Sequence, residues 1–225
     1  RNQYWMQTSV FVFFLVSWAV YLMTKGRIYI SGIILGMATL IKIYPIAVAM
    51  VLLFKNWRIT LTTLTVILVS FLIPGSLNWM KAIPNVGKYY SEGYILLGPN
   101  LFIAFVTLVI LTTALMAYRF RDLDYPALAS LAIPAGIIIL PVIEYHFLTV
   151  LMFPMLYILP LHKDDLLWLK IAILVSITII SMWLKFPGTL VLWCAISRWI
   201  TMCFRNPPDR YWTCGSGRSV SSKNI

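Results

Sequence analysis

Long apolar runs alternate with short basic or polar punctuation along the whole chain. In order, the runs are Met6–Thr24, Ile28–Ile41, Ile46–Phe54, Ile59–Ile73, Asn100–Tyr118, Ala127–Ile143, Phe147–Leu161, Leu166–Leu184 and Gly188–Phe204. In lipid, backbone polar groups have to be satisfied within the segment. Runs of this kind therefore close as helices, even where threonines and β-branched residues crowd them, as in Ile59–Ile73. The pattern predicts an all-α, polytopic transmembrane helix bundle over residues 1–204, of about seven spans plus a broken helix pair at Lys42-Pro45. The interval Pro74–Gly98 reads as a polar-aromatic loop, and Arg205 to Ile225, polar and rich in Gly and Ser, as a disordered tail. The chain opens on Arg1 without an initiator methionine or signal peptide, and so reads as a fragment that starts partway into a longer protein.

Composition agrees with this class. Hydrophobic residues make up 61% and charged residues 11%, whereas soluble domains carry about a quarter charged residues; mean hydropathy is +0.88. The net charge of +11 is one that nucleic-acid binders also show. Here, however, the basic residues flank apolar runs, so they read as topology signals and anionic-lipid contacts, and the bilayer rather than nucleic acid is the expected partner. Basic clusters fall at Lys25-Gly26-Arg27, Lys55-Asn56-Trp57-Arg58, Arg119-Phe120-Arg121, His162-Lys163 and Arg205. If Ile28–Phe54 crosses the membrane once, the first two clusters lie on opposite sides. If it enters and returns as a hairpin, every cluster shares the cytoplasmic side. As a helix Ile28–Ile41 is about 21 Å long, short of a hydrocarbon core of roughly 30 Å, which favours the hairpin. Lys42 then lies near its tip. The loops Pro74–Gly98, Glu144–His146 and Lys185–Pro187 become extracytoplasmic, in a multi-pass plasma-membrane protein.

Lys42 is the strongest candidate for chemistry. An amine among some two dozen apolar residues costs about 3 kcal/mol or more if it faces lipid, and one kept there usually points into a polar cavity. Pro45 has no N–H, so the carbonyl of Ile41 loses its helical partner, and the break beside the cation resembles a site wall. The plainer alternative is a lysine that snorkels to the interface from one tilted span. Gly32 and Gly36 form a small-residue step suited to close helix packing.

Two further groups are weaker. Glu144 and His146, in Pro141-Val142-Ile143-Glu144-Tyr145-His146, lie between apolar runs on the expected outer side. They suit proton transfer or phosphate binding, or only a polar turn; spacing i, i+2 places them on different helical faces, so no dyad follows. The outer loop holds Trp79, Lys88, Tyr89, Tyr90 and Glu92, which suit a sugar stacked on a ring and a phosphate paired with an amine, or an ordinary interfacial aromatic belt. Glu92 and Glu144 are the only carboxylates expected on the outer side and are the fallback candidates for a catalytic base. No phosphate loop, metalloprotease motif or nucleophile elbow is present, and Cys194, Cys203 and Cys214 lack metal-type spacing. No cofactor is implied; a divalent metal is compatible with the chemistry, with no ligand cluster to hold it.

The stretch Gly32-x-x-x-Gly36-x-x-x-x-x-Lys42-x-x-Pro45, ending in Phe54-Lys55-Asn56-Trp57-Arg58, resembles the Lys-x-x-Pro helix pair of GT-C-type membrane glycosyltransferases. The likeness is to the branch that includes polyprenyl-phosphate-mannose mannosyltransferases and arabinofuranosyltransferases. Pro141 to His146 resembles the Pro-to-His segment further along in that branch. The resemblance implies a hexosyl or pentosyl transferase that moves a sugar from a polyprenyl-phosphate donor to a glycan or glycolipid acceptor on the outer face. It implies a catalytic Asp in a first outer loop that this chain does not include, so the chain reads as the carboxy-terminal part of such an enzyme. Lys42, Pro45 and His146 carry over from the family pattern, Glu144 more loosely; Lys42 suits the leaving phosphate. A transporter or flippase for a lipid-linked or anionic substrate also uses broken helices and intramembrane cations, and it remains the alternative, as does a structural membrane subunit.

Overall fold

The computed structural model describes residues 2–73, 92–139, 151, 153–154, 167–181 and 185–205. Among these residues the regular structure is entirely helical: α1 (Asn2–Thr24), α2 (Ile28–Ile41), α3 (Ile46–Leu52), α4 (Trp57–Ser70), α5 (Glu92–Arg119), α6 (Tyr125–Ile139), α7 (Leu167–Ser181) and α8 (Lys185–Arg205). The tail from Arg205 onward lies outside the described residues except for Arg205 itself.

Local chemistry sets the boundaries. After α1 the chain reverses at Gly26, whose φ of 73° is readily adopted by glycine, while Arg27 N–H donates to the Leu22 carbonyl at 2.9 Å. The α4 start is capped by Asn56, whose side-chain oxygen accepts from Arg58 N–H at 3.2 Å. Asp124 does the same for α6, accepting from Ala127 N–H at 3.1 Å. Hydroxyls within the apolar helices fold back on their own turns, as Thr62 to the Arg58 carbonyl at 2.8 Å and Thr107 to the Ile103 carbonyl at 2.9 Å, which spares them from facing lipid unpaired.

The core is built around α6. Every residue from Ala127 to Ile138 is buried, as expected of a helix apolar on all sides, and α1, α3, α5 and α8 pack on it. The outside of the bundle is also apolar: Leu101, Leu108, Leu111 and Leu115 on α5, Leu61 and Leu68 on α4, and Tyr29, Ile33 and Met37 on α2 are exposed. Such an exterior suits hydrocarbon rather than water. Only Leu97–Arg119 is by itself long and apolar enough to cross a membrane among the described residues; Thr8–Thr24, Ile28–Ile41, Trp57–Ser70 and Tyr125–Ile139 are shorter apolar helices. Helix length therefore carries one span, and the count of about seven stays an expectation.

The interval 74–98 is not a loop throughout. Helix α5 begins at Glu92, and a sharp break follows at Gly98 (φ 72°, ψ 166°), where Pro99 restarts the helix. A Gly-Pro pair looks like the end of a loop in sequence; here it is a kink between two helical pieces.

Candidate functional site

The site is positioned by a hairpin. Helix α2 ends at Ile41, and Lys42 adopts extended backbone (φ −143°, ψ 133°) while its N–H still donates to the Ala38 carbonyl at 3.0 Å. Pro45 cannot donate to the ladder and disfavours helical geometry at Tyr44, so the helix stops and α3 restarts from Pro45. Lys42 is half-buried, whereas Tyr44 beside it is only 1% exposed.

The direction of the return limb follows from its neighbours. A methyl built on Gly32 would meet Thr62 and the Ile59 carbonyl; one on Gly36 would meet Val66 and the Thr63 carbonyl. Residue numbers rise together in the two helices, so α2 and α4 run parallel at very close range. Thr63 secures the pair by donating to the Gly32 carbonyl at 3.1 Å. Parallel helices in direct succession require the chain to travel back between them, and residues 42–56 do this. Thr60 of α4 donates to the Ala49 carbonyl of α3 at 2.6 Å, and Gly136 of α6 sits against Ala47 and the Tyr44 carbonyl. Lys42 is therefore at one end of the bundle, while Arg27 and Arg58 are both at the other.

That opposite end is basic and tied together by Lys55. Its amine donates to the carbonyls of Leu123 at 2.6 Å and Arg121 at 3.2 Å, and lies 5.0 Å from the centre of the Tyr125 ring. Desolvation holds this amine below the usual lysine range, with Asp124 and then Asp122 pulling it back up. In the sequence Lys55 stands among the basic topology signals and in the Phe54–Arg58 end of the Lys42-x-x-Pro45 stretch. The role as a clasp between the hairpin and the α5–α6 turn had no sequence signal, because its partners are 66 and 68 residues away.

The remaining candidates divide sharply. Trp79 and Lys88 lie in 74–91, and Glu144 and His146 in 140–150, outside the described residues. The described residues that border those segments, Ile73 beyond α4 and Ile139 at the end of α6, are at the Lys42 end. Glu92 is the first residue of α5 rather than a loop residue. Among the described residues no three His, Cys, Asp or Glu side chains gather as metal ligands.

What the described geometry offers is a cation at a helix break, at the end of the bundle away from Arg27, Lys55, Arg58 and Arg121. No curated protein and no solved structure matches the chain at a significant level. Residues 1–90, which contain the hairpin with Gly32, Gly36, Lys42 and Pro45, match the model of glycosyltransferase family 87, a GT-C-type membrane family, in agreement with the likeness carried by the Lys42-x-x-Pro45 motif.

Proposed function

We propose that this chain is part of a membrane glycosyltransferase that moves a sugar from a polyprenyl-phosphate donor to a glycan or glycolipid acceptor at the extracytoplasmic face. The observation that carries the reading is Lys42 at the tip of a hairpin lying within the segment that matches the glycosyltransferase family. In the reaction the bond from the anomeric carbon to the donor phosphate oxygen breaks and a bond to the acceptor oxygen forms. The phosphate leaves with the bonding electron pair, and the acceptor proton passes to a base. A fixed ammonium beside the leaving phosphate stabilises the charge that develops there, which is Lys42's role. Glu92 and Glu144 are the carboxylates of this chain assigned to the acceptor side as base. His146, Lys88 and Trp79 are assigned to binding donor phosphate, acceptor or sugar.

The test is sugar transfer from radiolabelled polyprenyl-phosphate sugars in vesicles carrying the full-length protein. Lys42→Met keeps the apolar stem and removes the charge. Loss of one leaving-group contact should lower the rate on the order of 10²–10³-fold with the protein still folded in the membrane. Near-normal turnover would identify Lys42 as a snorkelling residue and remove the basis of the assignment.

A further inference from the structure

A groove of about 420 Å³ runs along the return limb of the hairpin, between α3, α5 and α6. Its walls are apolar, with Ile43 and Ile139 towards the Lys42 end, Met50 and Ile110 along its length, and Phe54 towards the basic end. Lys42 belongs to the end of α2 and does not line it. At the other mouth the groove wall is continuous with a cation. Phe54 packs edge-on against Tyr118 with ring centres 5.9 Å apart, and the Arg121 guanidinium lies 5.8 Å from the centre of that same Tyr118 ring. Lys55 follows Phe54 directly and its amine is held by the carbonyls of Leu123 and Arg121, while the Arg121 side chain over the Tyr118 ring is exposed.

We propose that the groove holds one acyl chain of an anionic phospholipid from the leaflet at the basic end, with the headgroup phosphate paired to Arg121. Chemistry selects this occupant. The walls provide hydrocarbon contact, with the hydroxyls of Tyr44 and Thr113 buried behind them, so a headgroup has to remain outside, and the mouth built on Phe54, Tyr118 and Arg121 presents positive charge at the membrane surface. The proposal concerns a lipid that accompanies the fold and does not depend on the transferase reading.

The experiment uses the full-length chain in phosphatidylcholine vesicles doped with a phosphatidylglycerol that carries a photoreactive group on its acyl chain. Crosslinks should map to peptides spanning 43–54 and 107–119. Unlabelled phosphatidylglycerol should suppress them, and phosphatidylcholine with the same chains should not. Arg121→Gln should lower labelling several-fold, and Ala114→Phe, which fills the groove from α5, should remove it. If Ala114→Phe fails to fold, Arg121→Gln decides alone. Equal competition by phosphatidylcholine, or unchanged labelling of Arg121→Gln, would overturn the headgroup assignment. Displacement by polyprenyl phosphate at lower concentration than phosphatidylglycerol would overturn the proposal in favour of a donor-lipid groove.

Discussion

Replacing Gly36 by alanine puts a methyl where the α2–α4 interface has no room. Its carbon would lie 2.7 Å from Val66 Cβ, 2.9 Å from Val66 Cγ1 and 3.2 Å from the Thr63 carbonyl oxygen. Unstrained carbon contacts settle at about 3.5–4.0 Å, so the helices have to part by nearly 1 Å or Val66 has to give way. Val66 is β-branched on a helix, with little rotamer freedom to escape. Overpacking of this kind costs about 1–3 kcal/mol, and Gly36→Ala belongs in the upper half of that range because two of the three opposing atoms, Val66 Cβ and the Thr63 oxygen, sit on or next to backbone. The partner substitution separates causes. Val66→Gly removes both clashing carbons and leaves only the Thr63 oxygen, at a cost of about 1 kcal/mol for a helical glycine plus the packing it forfeits. If the strain is the carbon contact, the double variant is more stable than the sum of the singles predicts, by about 1–2 kcal/mol. Reversible unfolding of the purified protein in mixed micelles, followed by tryptophan fluorescence against increasing denaturing detergent, measures all four corners. Singles that add within about 0.5 kcal/mol, or a Gly36→Ala variant as stable as the parent, would refute close α2–α4 packing.

Other outcomes test the site and its support. Single cysteines at Gly26 and Asn56, beside Lys25 and Arg58, should react with a membrane-impermeant thiol reagent from the same side of oriented vesicles; opposite accessibility would contradict the return of residues 42–56. The lowered Lys55 amine means that the unfolded chain binds more protons than the folded one between the folded-state value and the ordinary lysine value of 10.5. Stability from this residue should therefore rise with pH only across that window and stay flat below it, and Lys55→Met should abolish the rise; a rise that persists unchanged in Lys55→Met would count against it. His146→Ala should raise the apparent KM or lower the transfer rate, with partial rescue by His146→Gln because an amide still donates; no rescue, with a wild-type rate that titrates near about pH 6.5, would make it a proton carrier.

Proline, glycine and charge made the hairpin readable. Pro45 withholds an N–H from the ladder and disfavours helical geometry at Tyr44, and the distribution of Lys25, Arg27, Lys55 and Arg58 favours a limb that turns back. The identity of the central helix was not readable. The runs that became α5 and α6 are both continuously apolar, yet α6 is buried from Ala127 to Ile138 while α5 exposes Leu101, Leu108, Leu111 and Leu115. Lipid and protein core favour the same side chains, so apolar composition alone cannot sort one from the other. The start of α5 at Glu92 was hidden by Gly98-Pro99, which reads as loop punctuation when the helical turn before it is short. For the candidate site, Lys42 was legible as a charged residue in an apolar run. The groove along α3 was not, because its walls come together from three helices far apart in sequence.

The parallel course of α2 and α4 has an electrostatic consequence. Parallel neighbours point their peptide dipoles the same way, and α6 rises beside them to bring Gly136 against Tyr44. Two helix carboxyl ends, at Ile41 and Ser70, therefore converge on the end that carries Lys42. Each contributes a partial negative charge of about half a unit, and a cation near one such end is stabilised by about 0.3–1 kcal/mol, more where it is partly buried. The peptide backbone thus offsets part of the cost of holding an ammonium in hydrocarbon. Under the proposed transfer, a phosphate reaching Lys42 would compete for a charge that carbonyl dipoles already solvate, so its contact would gain most as negative charge accumulates on the leaving oxygen.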